Sequence, residues 1–124
     1  MADLLTRHAM IVEIRTYTLH IGKVVEFLRM YAQCGRAVQI EHLGHPLGYF
    51  TSEVGELNQV VHLWRYDDLQ DRARRRAALE HDPRWHAYRR GSVADGQLAR
   101  QHCALLREVD FDQWPGTDEG SPAG

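Results

Sequence analysis

The segment from Leu57 to Asp82, LNQVVHLWRYDDLQDRARRRAALEHD, constrains the fold more than any other part of the chain. Its first half, Leu57 to Tyr66, is rich in β-branched and aromatic residues and predicts a buried strand. Asp67 or Asp68 is a suitable N-cap, and the acidic residues followed by arginines predict a basic amphipathic helix from Leu69 to Glu80. A strand that passes through one short turn into a helix favours an α+β fold.

The other elements follow from the hydrophobic period and from turn residues. Gly55-Glu56 predicts a tight connection between two antiparallel strands, and Pro83 is typical of the first turn of a helix. The segment Gln97 to Glu108 fits the hydrophobic period of a helix as well as that of a strand, and we assign it as the last strand. The full set of further predictions comprises strands at Met10 to Leu19, Leu47 to Val54 and Gln97 to Glu108, and helices from Lys23 to about Ile40 and from Asp82 toward Gly91.

The resulting order, βαββαβ, is that of the ferredoxin-like fold with a four-stranded antiparallel sheet. Helices cover one face of such a sheet, and the chain offers no further element for the other face. An exposed apolar sheet face favours association, so we predict a homodimer whose two sheets meet as an α/β barrel. We place the domain at residues 10–109, between a flexible leader at residues 1–9 and a flexible acidic tail at residues 110–124.

Length and charge exclude several classes of protein. A chain of 124 residues fits one domain. A formal net charge of −2 gives no basis for nucleic-acid binding. The only cysteines are Cys34 and Cys103, and no apolar stretch reaches the length of a secretory signal or a membrane span. We therefore expect a cytoplasmic protein that binds neither nucleic acid nor membrane.

Three stretches resemble the NIPSNAP family: IVEIRTYTLHIGKVVEFL, GYFTSEVGELNQVVHLWRYDDLQDR and RRRAALEHDPRW. They span Ile11 to Tyr88 in an order and context that agree with that family. The resemblance implies a ferredoxin-like, dimeric α/β barrel. The wider superfamily includes cofactor-independent monooxygenases, isomerases and haem-degrading enzymes. The segment Gln101 to Cys103 departs from the family's usual pattern.

Polar side chains on two central strands are the candidate site. Glu13, Arg15 and Tyr17 share one face of the first strand, and His62 on the third strand lies within cross-strand reach. We predict His62, Arg15 and Tyr17 as catalytic residues, with His62 moving a proton near neutral pH. The alternative is structural: Glu13 and Arg15 form an ion pair in the barrel interior that fixes dimer packing, and His62 is a satisfied core residue.

Further residues are assigned to substrate binding. Aromatic side chains on the strands suit a flat substrate, although strand aromatics also serve as packing residues. An arginine at the start of the basic helix suits a carboxylate, with Arg76 as the alternative to Arg72. Asn58 either orients a ligand carbonyl or closes the hairpin. The predicted binding residues are Glu13, Tyr49, Asn58, Trp64, Tyr66 and Arg72.

We predict no metal and no cofactor. His42 and His45 flank Gly44 in a predicted loop, and no HExxH or paired CxxC motif occurs. Two functions remain open. One is a cofactor-independent tailoring enzyme, a monooxygenase, isomerase or cyclase, acting on a polar aromatic or polyketide-like compound. The other is a non-catalytic binding or interaction module.

Overall fold

The computed structural model of the protein describes residues 10–114. The predicted βαββαβ order and the four-stranded antiparallel sheet are confirmed. The leader at residues 1–9 and residues 115–124 of the predicted tail lie outside the described residues. The elements are β1 (Ile11–Leu19), α1 (Val24–Met30), a π-helical turn (Tyr31–Gly35), α2 (Arg36–Leu43), β2 (Gly48–Thr51), β3 (Gln59–Tyr66), α3 (Leu69–Glu80), α4 (Pro83–Ala94) and β4 (Leu98–Arg107).

The strand order β2-β3-β1-β4 places β1 and β3 at the centre of the sheet. Their antiparallel register sets Arg15 opposite His62 and Glu13 opposite Trp64. On the other side of β1, Arg15 lies opposite Cys103 of β4. Because directly opposite residues share a face, Glu13, Arg15 and His62 point to the same side of the sheet.

The helices begin at the residues that the sequence predicts. The side chain of Asp68 accepts a hydrogen bond from the backbone N–H of Asp71 at 2.7 Å, and α3 follows. Asp82 caps α4 in the same way, with Pro83 in the first turn. Helix α4 continues past Gly91 to Ala94, because a single glycine inside a helix weakens it without ending it.

The hairpin between β2 and β3 is antiparallel as predicted, but its connection is longer than the predicted Gly55-Glu56 turn. Strand β2 ends at Thr51 and β3 begins at Gln59. Asn58 adopts a left-handed backbone with φ 63°, a conformation that asparagine tolerates, and Gly55 has φ 94°. Asn58 therefore has a backbone conformation that suits its predicted turn role.

The first helical region contains a π-helical turn that the sequence period did not predict. This turn carries Tyr31, which is buried, and Gly35. A Cβ atom at Gly35 would lie 3.0 Å from the ring of Tyr88 in α4, so glycine permits this close approach. The predicted helix from Lys23 to Ile40 is therefore three consecutive pieces that continue to Leu43.

All described helices pack on one face of the sheet. The residues of β1 on this face include Ile11, Glu13 and Leu19, all buried. Glu13 and Arg15 consequently lie beneath helices of their own chain rather than between two sheets, which corrects the expected placement of this ion pair. The main core cluster consists of Tyr31, Val38, Leu43, Trp64, Tyr66, Leu79, Trp85 and Tyr88.

The opposite face of the sheet carries an apolar patch beside polar residues such as Thr16, Arg65 and His102, and within residues 10–114 no helix covers it. Ile14 lies opposite Leu63 on β3 and Ala104 on β4. Near its margins, Phe50 is 53% exposed and Leu106 is 50% exposed. We call this surface, formed by Val12, Ile14, Phe50, Val61, Leu63, Ala104 and Leu106, the open sheet face. Among the described residues, no helix is long and apolar enough to cross a membrane.

Candidate functional site

A cavity of about 200 Å³ lies between the polar face of the sheet and the helices. Strand residues form its floor, and α3, α4 and the first helical region form its walls. The lining comprises Arg15, Tyr17, His62, Leu98 and Gln101 from the sheet, Phe27, Tyr31, Gln39, Arg76 and Glu80 from the earlier helices, and Trp85, Tyr88, Arg89, Ser92 and Val93 from α4.

His62 lies at the bottom of the cavity within a ring of aromatic side chains. Its imidazole is 5.0 Å from the ring of Tyr17 and 4.8 Å from each of the rings of Tyr31 and Tyr49, centroid to centroid. The residue is 1% exposed, and neither ring nitrogen has a hydrogen-bond partner among the described residues. Burial, aided by the charge of Arg15, lowers the pKa of His62 to about 4. The imidazole is therefore neutral at pH 7.

Arg15 links the cavity to the charged cluster behind it. Its Nε donates to the Tyr17 hydroxyl at 2.9 Å, and its Nη1 donates to Glu13 Oε2 at 3.2 Å. Burial opposes its charge, but Tyr17 and Glu13 outweigh that effect and raise the pKa of Arg15. A guanidinium that stays charged beside a neutral imidazole is suited to stabilise negative charge on a bound molecule.

Glu13 is the fully buried centre of this cluster. Arg72 donates to Glu13 Oε2 at 2.7 Å, Tyr66 donates to Oε1 at 2.8 Å, and Cys103 Sγ lies 3.1 Å from Oε2. Arg76 contacts Oε1 at 3.3 Å. Burial alone would raise the pKa of Glu13, but these hydrogen bonds and the nearby positive charge lower it to about 2.

Two more buried polar groups face the same space with unused hydrogen bonds. Gln39 Nε2 and Trp85 Nε1 are buried atoms without a partner among the described residues. The Tyr31 hydroxyl contacts Gln39 Oε1 and lies 2.9 Å from the Tyr49 hydroxyl. A buried unsatisfied donor destabilises the fold by about 1–3 kcal/mol, so these groups are available for hydrogen bonds to water or to another polar molecule.

The structure brings the three predicted catalytic residues together, since Arg15, Tyr17 and His62 all line the cavity. The predicted binding residues lie elsewhere. Glu13 and Arg72 stand behind Arg15 in the charged cluster, and Asn58 lies in the hairpin connection. Trp64 and Tyr66 are core residues, and Tyr49 packs behind His62.

Several lining residues escaped the sequence interpretation. Tyr31, Trp85 and Tyr88 line the cavity but are not among the predicted site residues. Gln39 carried a usable signal: it follows Tyr31 and Gly35 at four-residue spacing, so it is a polar residue on an apolar stripe. No feature of the sequence marked Arg89 and Glu80 as site residues, because exposed charged residues on helices are common.

The position of His42 differs from the prediction. It belongs to α2, not to a loop, and its Nε2 lies 2.8 Å from Asp82 Oδ2. Glu41, His42 and Asp82 bring possible metal-ligating atoms within 4.8 Å of one another. Arg84 binds both carboxylates, at 2.7 Å to Asp82 Oδ2 and in a short contact to Glu41. A guanidinium thus already supplies positive charge to this cluster.

Comparisons with known proteins concern the family and the fold of this chain. The NIPSNAP family model matches residues 12–113. Protein NipSnap of Drosophila melanogaster is 31% identical over 102 residues, which cover 82% of this chain and 36% of that protein. The chain thus spans about a third of the length of this curated relative.

Solved structures extend the comparison. An uncharacterized NIPSNAP-like domain protein from Burkholderia xenovorans is 44% identical, with a TM-score of 0.78, over 84% of this chain and 89% of that one. A candidate antibiotic biosynthesis monooxygenase from Caulobacter crescentus is 16% identical, with a TM-score of 0.59, over 88% of this chain and 98% of that one. The second likeness concerns the fold alone.

Proposed function

Because the chain belongs to the NIPSNAP family, we propose that it binds a small molecule in the cavity beneath α3 and α4 and acts on it without a cofactor. The observation that carries this proposal is His62, a buried histidine on the cavity floor with two unpartnered ring nitrogens. Its substrate is a polar aromatic or polyketide-like compound, and the reaction is an oxygenation, isomerisation or cyclisation.

The chemistry common to these reactions is proton removal beside a carbonyl group. A neutral His62 accepts the proton from carbon or from a hydroxyl, and the bond electrons remain on the substrate as an enolate or phenolate. Arg15 stabilises the oxygen that gains charge, and Tyr17 orients Arg15 through the 2.9 Å hydrogen bond. Return of the proton from His62 to another carbon gives an isomer. In a cyclisation, the enolate carbon forms a C–C bond to a second carbonyl, and the resulting alkoxide takes the proton from His62. In an oxygenation, dioxygen is the co-substrate and two-electron oxidant: the carbon forms a C–O bond, the peroxide takes the proton, and loss of water leaves a new carbonyl group.

We also propose that the active form is a homodimer joined through the open sheet face. Contiguous apolar surface of this kind on a soluble domain is typical of an interface. Two such faces in contact would form the α/β barrel that the family resemblance implies. A cytoplasmic location is likewise a proposal.

The alternative function is a non-catalytic binding or interaction module. One observation favours it: Glu13 receives hydrogen bonds on both oxygens, so the charged cluster stabilises the fold without any ligand. In this alternative, His62 is a packing residue within its aromatic ring.

The test combines native mass spectrometry with two matched histidine variants. We expect the freshly purified protein to be a dimer that carries additional mass, and His62→Gln to lose the ligand or turnover while it stays folded. The control His45→Gln removes an exposed histidine between α2 and β2 and is expected to keep the dimer, the bound mass and the turnover.

Other results would decide against the enzyme. A dimer without bound mass, together with a His62→Gln variant as destabilised as the core truncation Leu79→Ala, would favour the interaction module. A stable monomer would contradict the barrel.

A further inference from the structure

The charges around the cavity are unequal. Glu13 is the carboxylate shared by Arg15, Arg72 and Arg76 within residues 10–114, so one negative charge faces three positive charges. The carboxylate that belongs to the cavity lining, Glu80, is paired with Arg89 at 2.7 Å. The Glu80–Arg89 pair adds no net charge. The charged cluster of Glu13 with its three arginines therefore has a net charge of two positive units.

The excess charge is directed to the cavity rather than to bulk water. Arg15 and Arg76 line the cavity, whereas Arg72 stands outside it. The side chains of Arg15 and Arg76 are 18% and 16% exposed, respectively, so solvent screens them less than it screens a surface arginine. A negative charge placed between them would be attracted strongly.

The buried hydrogen-bonding groups without a partner in residues 10–114 also favour a ligand with negatively polarised atoms. Gln39 Nε2 and Trp85 Nε1 can only donate, and both are buried without a partner among the described residues. A neutral His62 contributes one further N–H and one acceptor nitrogen. The wall therefore offers mainly donors, and its complement is a molecule rich in oxygen acceptors.

Size and shape limit that molecule further. A cavity of about 200 Å³ lies below the roughly 300–1,000 Å³ that drug-sized ligands occupy. Aromatic rings of Tyr17, Tyr31, Trp85 and Tyr88 line it, and flat walls favour a flat ligand. A compound of one or two rings fits this space.

From these observations we infer that the ligand is a small, flat organic anion with several oxygen acceptors, an aromatic or enolic carboxylate of one or two rings. Its acidic group lies between Arg15 and Arg76, and its remaining oxygens accept from Gln39 and Trp85. This inference rests on the proposed function, because it names the chemical class that the cavity takes.

The experiment compares two probes of equal shape, 2-hydroxybenzoate and 2-hydroxybenzamide, by isothermal titration calorimetry at pH 7 and low salt. Charge-assisted hydrogen bonds are about twice as strong as neutral ones, so we expect the acid to bind at least about tenfold more tightly than the amide. Arg76→Gln should remove most of this preference, and Arg76→Lys should keep it. The matched control is Arg74→Gln on the same helix, whose guanidinium is 70% exposed and bound to Asp71.

Each contrary result has a separate meaning. Equal affinity for acid and amide would overturn the anionic ligand and leave the cavity as a binding site. An acid preference that Arg76→Gln and Arg74→Gln weaken equally would also overturn it, because general surface charge would then explain the binding. Failure of both probes to bind would overturn this ligand class, and a protein that is also free of bound mass in native mass spectrometry would overturn the proposed function with it.

Discussion

Arg72 Nη2 donates a hydrogen bond to Glu13 Oε2 at 2.7 Å, and this contact joins the start of α3 to the middle of β1 across 59 positions of sequence. It ties the helix that carries the arginine run to the sheet that carries His62. The position of Arg76 over the cavity therefore depends on a carboxylate that itself lies outside the cavity lining.

Replacing Glu13 should test this relationship directly. Glu13→Gln keeps the shape but leaves three guanidinium groups around a neutral amide, and we expect a loss of about 3–5 kcal/mol in the free energy of unfolding. Urea denaturation at pH 7 measures it. Glu108→Gln is the control, because its ion pair with Arg65 is exposed and should contribute no more than about 1 kcal/mol. Equal losses in the free energy of unfolding for the two variants would show that the buried cluster stabilises the fold no more than an exposed ion pair does.

The lowered pKa of His62 predicts a pH dependence of stability. The pKa falls from 6.5 to about 4 on folding, so the unfolded chain binds a proton that the folded chain does not. Stability due to the neutral imidazole is complete above pH 6.5 and is lost as the pH falls toward 4, by roughly 3 kcal/mol. Chemical denaturation at several pH values should give a flatter profile for His62→Gln than for the parent protein. The core truncation Leu79→Ala removes no titratable group, so it should lower stability at every pH and retain the parent slope. A parent slope in His62→Gln would refute the assignment.

The two glycines that flank the α1–α4 contact should respond in opposite ways to alanine. Gly35→Ala places a methyl group 3.0 Å from the ring of Tyr88, and overpacking of this kind destabilises by about 1–3 kcal/mol. At Gly91, the added Cβ lies 4.0 Å from Met30 Sδ, an ordinary contact inside a helix. Gly91→Ala should therefore be neutral or stabilise by up to about 1 kcal/mol. Thermal melts of the two variants make the comparison, and similar melting temperatures would contradict the tight contact.

The open sheet face predicts the effect of a charge on assembly. Leu106 is half-exposed on this face, so Leu106→Lys is tolerated by one protomer but would bury a charge between two. We expect a shift from dimer to monomer in sedimentation analysis, with an unchanged circular dichroism spectrum. Val54→Lys, in the exposed hairpin connection, should remain dimeric. A dimeric Leu106→Lys variant would exclude this face as the interface.

Local sequence rules predicted the fold well because its elements carry strong local signals. The two-residue period fixed which residues of β1 share a face, and Asp68 and Pro83 marked the helix starts. The π-helical turn was missed because the hydrophobic period of this segment does not distinguish it from an α-helix. The close approach of the Tyr88 ring to Gly35 is a distant contact that no local pattern records.

The candidate site was predictable only in part. Arg15, Tyr17 and His62 lie on adjacent strands, so strand order and period suffice to bring them together. Gln39 and Trp85 come from separate helices, and their approach to His62 depends on how those helices cross the sheet. Glu13 was expected beside a ligand, yet the arginines of α3 enclose it, because a buried carboxylate needs partners on every side.

The π-helical turn at Tyr31–Gly35 also determines where this chain tolerates the loss of a residue. A π-helical turn holds one residue more than the α-helical turn it replaces. Deleting exposed Gln33 would let Val24 through Leu43 wind as one ordinary α-helix, with both ends still facing the sheet. The same deletion within α3 would rotate every later side chain by about 100° and turn Arg76 away from Glu13. Deletion of a single residue should therefore be accepted at this turn, and a variant lacking Gln33 should still fold.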